Sequence, residues 1–279
     1  MPDQKRAPMP ELPEVETTKN GLTPHIVNKP LLAMHRHRAN LRWTIEPVDL
    51  EILSNQILRS IDRRSKYLLM RFDQGTLMFH LGMSGSLRVC QQDEALKKHD
   101  HIELEFNDCV IRYNDPRRFG FCLWYEHDDT QHPLLNTLGP EPLTKFFNKQ
   151  YLSKALLKRS APIKNVIMDS KVVVGVGNIY ATESLYLCGI HPATPANQIS
   201  DEQIQQLLKT IKQILKKAIK QGGTTLKDFI NADGKPGYFQ QTLNVYGKKG
   251  KPCQKCNDII KSIQLGGRAS SFCPSCQAL

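Results

Sequence analysis

The sequence predicts an α+β protein of more than one domain: an N-terminal helix with an antiparallel β-sandwich or barrel, then a helical domain with a C-terminal zinc finger. Three observations predict this fold class. Short strand-like segments fill residues 66–126, an amphipathic helix pattern occupies 203–220, and two Cys-x2-Cys pairs lie near the C-terminus. A chain of 279 residues is long enough for two domains with substantial cores.

The composition is that of a globular protein, with 40% hydrophobic and 23% charged residues. No run of about eighteen apolar residues occurs, so no transmembrane helix is predicted. The first sixteen residues lack the apolar core of a secretory signal. Eight cysteines without an export signal argue against a disulfide scaffold and for a reducing compartment. We therefore expect a cytoplasmic protein that does not span a membrane.

The net charge of +11 is concentrated in the second half of the chain. Residues 1–144 carry 18 Lys and Arg against 20 Asp and Glu, whereas residues 145–279 carry 20 against 7. This asymmetry predicts a nearly neutral domain joined to a basic one, and it favours a polyanionic partner such as nucleic acid or an acidic membrane surface. A lysine-rich surface that only aids solubility is the alternative.

The first half contains one helix followed by strands. Residues 11–23 suit a short helix, with Pro13 in its first turn. Asn107-Asp108 lies between two alternating runs and is a plausible hairpin turn. Strands this short and regularly spaced are typical of an antiparallel sandwich or barrel. The predicted strand-rich segments are 67–72, 76–89, 101–106 and 110–113.

After Gly139 the pattern becomes helical. In 203–220 the apolar residues fall on one face of a helix, and Gly222-Gly223 ends it. We interpret the remaining lysines as a solvated face first, and as phosphate contacts second. These lysines are Lys209, Lys212, Lys216, Lys217 and Lys220.

Four cysteines near the C-terminus have the spacing of a zinc site. Cys253-x2-Cys256 is separated by sixteen residues from Cys273-x2-Cys276. Because four thiolates leave no open position on the metal, we expect one structural zinc ion and no organic cofactor. The segment 253–276 is called the zinc hairpin below. The other cysteines, which we expect to be buried thiols, are Cys90, Cys109, Cys122 and Cys188.

Two glycines precede a predicted helix start at Asn178. Gly175 and Gly177 lie between the apolar run 172–174 and a helix-like segment that begins near Asn178. A helix start with exposed N–H groups favours phosphate binding, although a Gly-x-Gly alone is weak evidence. No Gly-x-x-x-x-Gly-Lys motif occurs, so a nucleotide P-loop is not supported.

Several stretches together resemble one family, the bacterial formamidopyrimidine-DNA glycosylases. The resemblance extends over about 10–279, and its motifs occur in the family's order. Leu12 and Val15 resemble this branch and not the related endonuclease VIII branch. The stretches are 9–17, 63–69, 80–88, 115–120, 175–181, 222–229 and the zinc hairpin.

The resemblance implies a helix with a β-sandwich over 10–140, a helix–two-turn–helix domain over 141–235 and a zinc finger over 245–279. It also implies a monomeric bacterial repair enzyme whose partner is double-stranded DNA, bound in the cleft between the domains. Such an enzyme excises oxidised purines, chiefly 8-oxoguanine and formamidopyrimidines, and then cleaves the abasic strand. Through its DNA it would associate with the nucleoid.

The resemblance assigns the chemistry to five residues. Pro10 matches the N-terminal proline that attacks the sugar C1′, and a terminal amine suits this task because its pKa lies well below that of lysine. Glu11 matches the general acid–base residue and Glu14 its helper. Lys66 matches the lysine that contacts phosphates by the lesion, and Arg268 the arginine that assists δ-elimination. Without the resemblance, Glu11 and Glu14 would be ordinary acidic residues in a first helical turn.

A stacked base must be flipped out of the duplex, and the vacancy must be filled. Met83, Arg117 and Phe119 match the family's void-filling residues; on the residues alone, Met83 and Phe119 could equally be core. Residues 223–238 match the loop that covers the flipped lesion. Backbone-binding positions are matched by His99, Arg117, Arg159 and Asn178.

Pro10 is preceded by nine residues in this sequence. An acylated proline nitrogen is not nucleophilic, so we expect residues 1–9 to be a non-native extension, with translation starting at Met9 and Met9 removed. Two other functions remain open. One is a non-catalytic binder of damaged DNA that is held back by its extension. The other is a zinc-ribbon transcription regulator, which leaves Pro10 and the 63–120 motifs without a purpose.

Overall fold

The structure is a computed structural model that describes residues 9–45, 51–223 and 243–279. The chain divides into two compact units. Of the described residues, 9–45, 51–136 and 221–223 belong to the first unit, and 137–220 with 243–279 belong to the second. The finer boundaries of 10–140, 141–235 and 245–279 stay predictions.

The first unit begins with helix α1, Leu12–Ile26. Pro13 lies in its first turn, where a missing N–H costs no hydrogen bond. Leu12, Leu22 and Ile26 are fully buried, and α1 packs on three of the strands that follow it, Leu58–Arg64, Tyr67–Phe72 and Ser86–Cys90. The helix runs three residues past its predicted end, through Pro24, because the buried Ile26 anchors the last turn.

Among the residues that the structure describes, eight strands follow α1 and form two four-stranded antiparallel sheets, which confirms the predicted β-sandwich and not a single closed barrel. The sheet orders are β1-β6-β7-β5 and β2-β3-β4-β8. The strands are β1 Ala33–Arg36, β2 Leu58–Arg64, β3 Tyr67–Phe72, β4 Thr76–His80, β5 Ser86–Cys90, β6 Asp100–Glu105, β7 Val110–Asn114 and β8 Phe121–Tyr125. A short 3-10 helix, Asp129–Gln131, follows β8.

The predicted hairpin turn at Asn107-Asp108 is confirmed, since β6 and β7 pair across it. The predicted strand-rich segment 76–89 is confirmed, and it contains two strands. It divides into β4 and β5, which belong to different sheets. The break comes at Gly82, whose φ of +65° is disfavoured for residues with a side chain. Strands β1 and β2 were not predicted.

The described part of the second unit contains four α-helices: α2 Lys149–Leu156, α3 Ile163–Ile167, α4 Asn178–Leu187 and α5 Asp201–Lys220. A 3-10 turn, Ala196–Gln198, precedes α5. The predicted helix start at Asn178 is confirmed. Helix α5 starts two residues earlier than predicted and buries its apolar face. Its lysines are exposed except Lys212, which lies 5.9 Å from the ring centre of Phe147.

The zinc hairpin contains two antiparallel strands, β9 Lys261–Leu265 and β10 Arg268–Phe272. Strand β10 packs against α4. The prediction of buried thiols is confirmed for Cys90, Cys109 and Cys122, whereas Cys188 is half-buried.

Candidate functional site

The N-terminal end of α1 buries two carboxylates next to Pro10. Pro10 itself is buried, and Glu11 and Glu14 expose only 2% and 0% of their surface. The Oε2 atom of Glu14 accepts a hydrogen bond from the backbone N–H of Glu11, 2.9 Å away. This hydrogen bond is part of a capping box at the start of α1. It holds the Glu14 side chain against the backbone of Glu11 and satisfies the Glu11 N–H group. The arrangement places two buried carboxyl groups beside the proline.

Gly223 lies against this helix start although it is distant in sequence. A Cβ atom on Gly223 would lie 3.2 Å from Oε1 of Glu14, and the φ angle of Gly223 is +79°. Both facts require glycine, because a side chain would meet Glu14 and the backbone conformation would be strained. Gly223 is the first residue of the predicted lesion-covering loop, whose remaining residues, 224–238, lie outside the described residues.

Lys66 lies in the tight turn between β2 and β3. Its neighbour Ser65 has a φ of +59°, and the Ser65 carbonyl accepts a hydrogen bond of 2.9 Å from Arg63. Arg63 also lies 2.6 Å from Glu16 of α1. Burial alone would raise the pKa of Glu16, but the hydrogen bonds from Lys19 and Arg63 outweigh it, so the pKa is lowered. The turn that carries Lys66 is therefore fixed to α1 by a charged pair.

The predicted void-filling residues lie on two loops that share one hydrogen-bond network. Met83 lies on the 81–85 loop between β4 and β5, and Arg117 on the 115–120 loop between β7 and β8. Asp115, which is fully buried, accepts from the Ser84 hydroxyl at 2.6 Å and from the Gly120 N–H at 2.9 Å. The Ser84 oxygen in turn accepts from the Arg117 N–H at 3.1 Å.

The two loops also touch directly through glycine. A Cβ on Gly82 would lie 2.3 Å from the Gly120 nitrogen, so no side chain fits there. Phe119 is 47% exposed, and the Arg117 guanidinium carbon lies 5.3 Å from its ring centre. Phe119 is thus a surface aromatic residue and not core, whereas Met83 is half-buried. Such an exposed arrangement can insert into another molecule.

Two histidines are part of the framework of these loops. The Gly82 N–H donates to Nδ1 of His80 at 3.0 Å. Burial, followed by the charges of Lys66 and Arg42, lowers the pKa of His80 to about 4, so the ring is neutral at pH 7. The His99 carbonyl accepts from the Asp115 N–H at 3.1 Å. His99 therefore lies beside the 115–120 loop.

In the second unit, Asn178 and the start of β10 are in contact. The Asn178 Nδ2 donates to the Ala269 carbonyl at 3.3 Å, immediately after the exposed Arg268. Lys164 is fully buried, and its Nζ donates to the same carbonyl at 3.2 Å and to the Ser270 hydroxyl oxygen at 2.6 Å. The amide of Asn178 and the guanidinium of Arg268 are thereby held on neighbouring segments, where both could donate to an anion.

Arg159 lies elsewhere in this unit, in the segment after α2. It is exposed, and its Nη1 lies 3.1 Å from Oδ2 of Asp169. This exposed ion pair is weak, so an incoming anion could compete for the guanidinium.

The four cysteines of the zinc hairpin converge, and their sulfur atoms all lie within 4.8 Å of one another. The closest pairs, Cys256–Cys273 and Cys256–Cys276, are 3.4 and 3.5 Å apart, and Cys253–Cys276 is 3.9 Å. Zinc–sulfur bonds of about 2.3 Å in a tetrahedron place sulfur atoms about 3.8 Å apart. The donor set and these distances fit one structural zinc ion.

Helix α4 supports the zinc hairpin through two buried polar groups. The Tyr186 hydroxyl lies 3.2 Å from Sγ of Cys253 and would donate to the thiolate of a metal-bound cysteine. The carboxylate of Glu183, fully buried, accepts from the N–H groups of Asn244, Val245 and Tyr246 at 2.8 to 2.9 Å. Glu183 thus fixes the chain segment that leads into the zinc hairpin.

Sequence reasoning missed three of these residues: Asp115, Lys164 and Glu183. Asp115 was noted only as part of a motif. Lys164 and Glu183 each interrupt an otherwise apolar helix face, and all three are fully buried. A charged residue at an apolar helix position was the available signal, because burial of a charge requires partners.

Three family models match the chain. Residues 9–122 match the formamidopyrimidine-DNA glycosylase N-terminal domain, 138–230 the H2TH domain of the same glycosylase, and 250–279 a zinc finger found in FPG and IleRS. The chain is 55% identical over 270 residues to the formamidopyrimidine-DNA glycosylase of Psychromonas ingrahamii, covering 97% of this chain and 100% of that protein. It is 52% identical to that of Shewanella loihica, covering 96% and 99%.

Solved structures of Fpg and MutM are also similar to this chain. A complex of Lactococcus lactis Fpg with abasic-site DNA has a TM-score of 0.89 at 35% identity, covering 96% of this chain and 100% of that one. A complex of MutM with DNA containing carbocyclic 8-oxo-G has a TM-score of 0.89 at 35% identity, covering 97% and 100%. Together with the N-terminal helix, the two sheets, the helical unit and the four-cysteine cluster, these matches show that the chain belongs to the formamidopyrimidine-DNA glycosylase family.

Proposed function

We propose that this chain is a bifunctional DNA glycosylase and abasic-site lyase of base-excision repair. It removes oxidised purines from double-stranded DNA and then cuts the abasic strand. Membership of the family carries this conclusion, and the proline followed by two buried carboxylates at the start of α1 supports it. No helix among the described residues is long and apolar enough to cross a membrane. Because chromosomal DNA is the substrate, we propose the bacterial cytoplasm and nucleoid as its place of action.

Pro10 is the proposed nucleophile. Its nitrogen attacks C1′ of the damaged nucleotide, the C1′–N bond to the base breaks, and the base leaves with the bonding electrons and a proton. The Pro10 nitrogen loses its own proton, the C1′–O4′ bond of the sugar then breaks as O4′ takes up a proton, and an iminium between Pro10 and C1′ of the opened sugar remains. Because a secondary amine gives a permanently cationic iminium, the C2′–H bond becomes acidic, and this prepares β-elimination.

Glu11 is the proposed proton donor and acceptor, with Glu14 as its helper. Burial and the hydrogen bond between Glu14 and the Glu11 N–H hold the pair in one geometry, which a proton transfer requires. Removal of the C2′ proton breaks the C3′–O bond, and removal of the C4′ proton then breaks the C5′–O bond. Both phosphates leave, and a one-nucleotide gap remains.

The other predicted residues act on the DNA in this proposal. Lys66 contacts phosphates at the lesion, and Arg268 grips a phosphate and gives a proton during δ-elimination. Met83, Arg117 and Phe119 fill the vacancy of the flipped nucleotide, as the exposure of Phe119 supports. His99, Arg117, Arg159 and Asn178 bind the backbone. Zinc, when bound by the four cysteines, supplies rigidity to the hairpin.

The proposed mechanism requires a free amine on Pro10, so we propose that the active form begins at Pro10. The family match begins at residue 9, which agrees with this start. Intact-mass measurement of the native protein tests the proposed start. A native protein that retains the residues before Pro10 and has full lyase activity would contradict the assignment of the nucleophile.

Borohydride trapping tests the function. We expect the polypeptide that begins at Pro10 to form a covalent adduct with a duplex containing 8-oxoguanine opposite cytosine, and peptide mapping should place it on Pro10. The matched control is the same polypeptide with Met9 retained, which should give no adduct. Tight binding of the lesion by the Pro10 form without any adduct would instead support a non-catalytic binder of damaged DNA.

Glu11→Gln separates the two activities. An amide cannot donate the proton that the departing base needs, so excision of 8-oxoguanine should fall. A duplex that is already abasic has no base to lose, so trapping on it should persist. Equal loss on both duplexes would contradict the proton-donor role of Glu11.

A further inference from the structure

The connection from β1 to β2 contains an ordered loop, residues 39–45, that the proposed function does not use. The Ile45 N–H donates to the Ala39 carbonyl at 3.0 Å, and Asn40 pairs with Thr44 across the loop. The Thr44 hydroxyl also donates to the Asn40 side chain at 3.1 Å. Residues 40–44 line an open pocket of about 550 Å³. The loop therefore has a defined shape at the surface.

The tip of this loop presents an aromatic ring and a guanidinium. Trp43 is 39% exposed, and its ring centre lies 4.2 Å from that of the buried Phe121. The guanidinium carbon of Arg42 lies 5.5 Å from the centre of the Trp43 ring. Stacking on Phe121 fixes the Trp43 ring, and the ring in turn restricts the Arg42 side chain by a cation–π contact.

The loop is attached to the loop that carries two of the void-filling residues. The backbone N–H of Arg42 donates to the Gly120 carbonyl at 3.1 Å. Because this bond is made by the backbone, it does not depend on the side chain at position 42. Arg42 is therefore held next to the 115–120 loop, on which Arg117 and Phe119 lie.

The same surface also contains Lys66. The Phe121 ring stacks on His80 at 5.5 Å, and the His80 ring lies 5.4 Å from that of Tyr67, the neighbour of Lys66. The positive charges of both Lys66 and Arg42 lower the pKa of His80, so both lie near this ring. Two cations thus share one small region of the first unit.

Arg42 has the properties of a phosphate ligand. It is exposed, and within residues 9–45, 51–223 and 243–279 no carboxylate lies within ion-pair distance of its guanidinium. A guanidinium matches the geometry of a phosphate group, and its position on an aromatic ring reduces the entropy lost on binding.

We propose that Arg42 binds a backbone phosphate of the damaged duplex, next to the phosphate contacted by Lys66, and that Trp43 is the positioning residue for its guanidinium. This inference rests on the proposed function, because it takes the duplex as the ligand. It extends the set of DNA-binding residues to a loop that carries none of the family motifs quoted above.

Arg42→Gln tests the phosphate contact. The probe is a duplex with a non-cleavable tetrahydrofuran abasic site, bound by the zinc-loaded protein over a range of salt concentrations. One lost phosphate contact should reduce the slope of log K against log salt by about 0.9 and weaken binding about 8-fold at 0.1 M salt. Arg42→Lys keeps the charge and should keep the slope.

Arg59→Gln is the matched control. Arg59 is an exposed arginine of the same unit, but its guanidinium lies 2.6 Å from Asp73 and is already neutralised. Removing it changes the formal charge by the same amount and should leave the affinity and the salt slope unchanged. If Arg42→Gln, with wild-type melting temperature, also leaves both unchanged, the proposal is overturned.

Trp43→Leu tests the positioning role. It should weaken binding in the wild-type background and have no further effect in Arg42→Gln, because its effect is exerted through Arg42. Equal losses in both backgrounds would overturn the positioning role. A wild-type protein that binds the tetrahydrofuran duplex but gives no trapped adduct with the 8-oxoguanine duplex contradicts the proposed function and leaves the Arg42 contact testable by binding alone.

Discussion

The hydroxyl of Ser84 donates a 2.6 Å hydrogen bond to Oδ1 of the fully buried Asp115. This bond joins two loops that come from different strand connections. Since the Ser84 oxygen also accepts from the Arg117 N–H, the loops share one network. Met83 and Arg117 are thereby held in a fixed relationship before any DNA is present. Such preorganisation reduces the ordering cost of binding.

Asp115→Ala should destabilise the first unit by about 2–3 kcal/mol, because it leaves the Ser84 hydroxyl and the Gly120 N–H without their buried acceptor. Asp115→Asn is the control, since its amide oxygen can still accept one of these bonds and should retain most of the stability. Urea unfolding measures both. Unfolding of Asp115→Ala at the wild-type urea concentration would show that the network contributes little.

Phe119→Ala should separate function from stability. Because Phe119 is 47% exposed, the free energy of unfolding should change by less than about 0.5 kcal/mol. Excision of 8-oxoguanine from a duplex should fall about 10-fold, the factor for roughly 1.4 kcal/mol of lost wedge contact. Excision from a single strand should fall less, since no base stack has to be opened.

Phe121→Ala is the comparison, because Phe121 is only 2% exposed. Its loss should cost about 3–5 kcal/mol of folding stability. If Phe119→Ala destabilises the protein as much as Phe121→Ala does, Phe119 is a core residue and its void-filling role is wrong.

The stability of the protein should fall as the pH drops from about 6.5 to 4. His80 has a folded pKa of about 4 against 6.5 in the unfolded chain, so the unfolded chain binds the proton first. Above pH 6.5 His80 makes its full contribution to the free energy of unfolding. This contribution, about 3 kcal/mol, is lost as the pH falls to about 4. Burial lowers the pKa of three more histidines in the same direction: His101, His132 and His191.

His80→Gln isolates the part due to His80. Its unfolding free energy should depend less steeply on pH between 4 and 6.5, while the slope above pH 7 stays unchanged. Denaturant titrations at several pH values measure this difference. Identical slopes for wild type and variant would mean that folding does not lower the pKa of His80.

Tyr186→Phe should weaken zinc binding about 10-fold, because it removes the hydroxyl that lies 3.2 Å from Sγ of Cys253. Competition with a chromogenic chelator measures the affinity. Tyr151→Phe is a matched control, since its hydroxyl donates to the Val172 carbonyl at 2.9 Å, away from the sulfur atoms. Equal zinc affinity in both variants would assign Tyr186 to packing only.

Full removal of zinc should abolish DNA binding, because the segment that carries Arg268 loses its support.

The periodic parts of the fold could be predicted from the sequence, because they depend on local patterns. Helix α5 and the hairpin at Asn107-Asp108 are examples, and the zinc hairpin follows from cysteine spacing. The strand order could not be predicted, since β1 pairs with β6 across more than sixty residues. Strand β2 was missed because its charged residues obscure the alternation of apolar and polar residues that is typical of a strand. One of them, Arg63, pairs with Glu16 of α1.

The site residues that lie in the family motifs could be predicted from the sequence, and their roles stay predictions. The buried residues that support the site, such as Lys164, could not be predicted because their partners are distant in sequence. Lys164 donates a hydrogen bond to Ser270, 106 residues further along the chain. No local pattern encodes such a pair. A buried charge in an apolar helix face shows that a partner exists and does not say which one.

The contact of Gly223 with Glu14 has a consequence for biosynthesis. The two residues are 223 − 14 = 209 positions apart. At about 5–20 residues per second, a ribosome needs roughly 10–40 seconds to reach the second after the first. The two sheets are complete in sequence long before that. Glu14 therefore acquires its final surroundings late in synthesis, after the strands beside it have had time to fold.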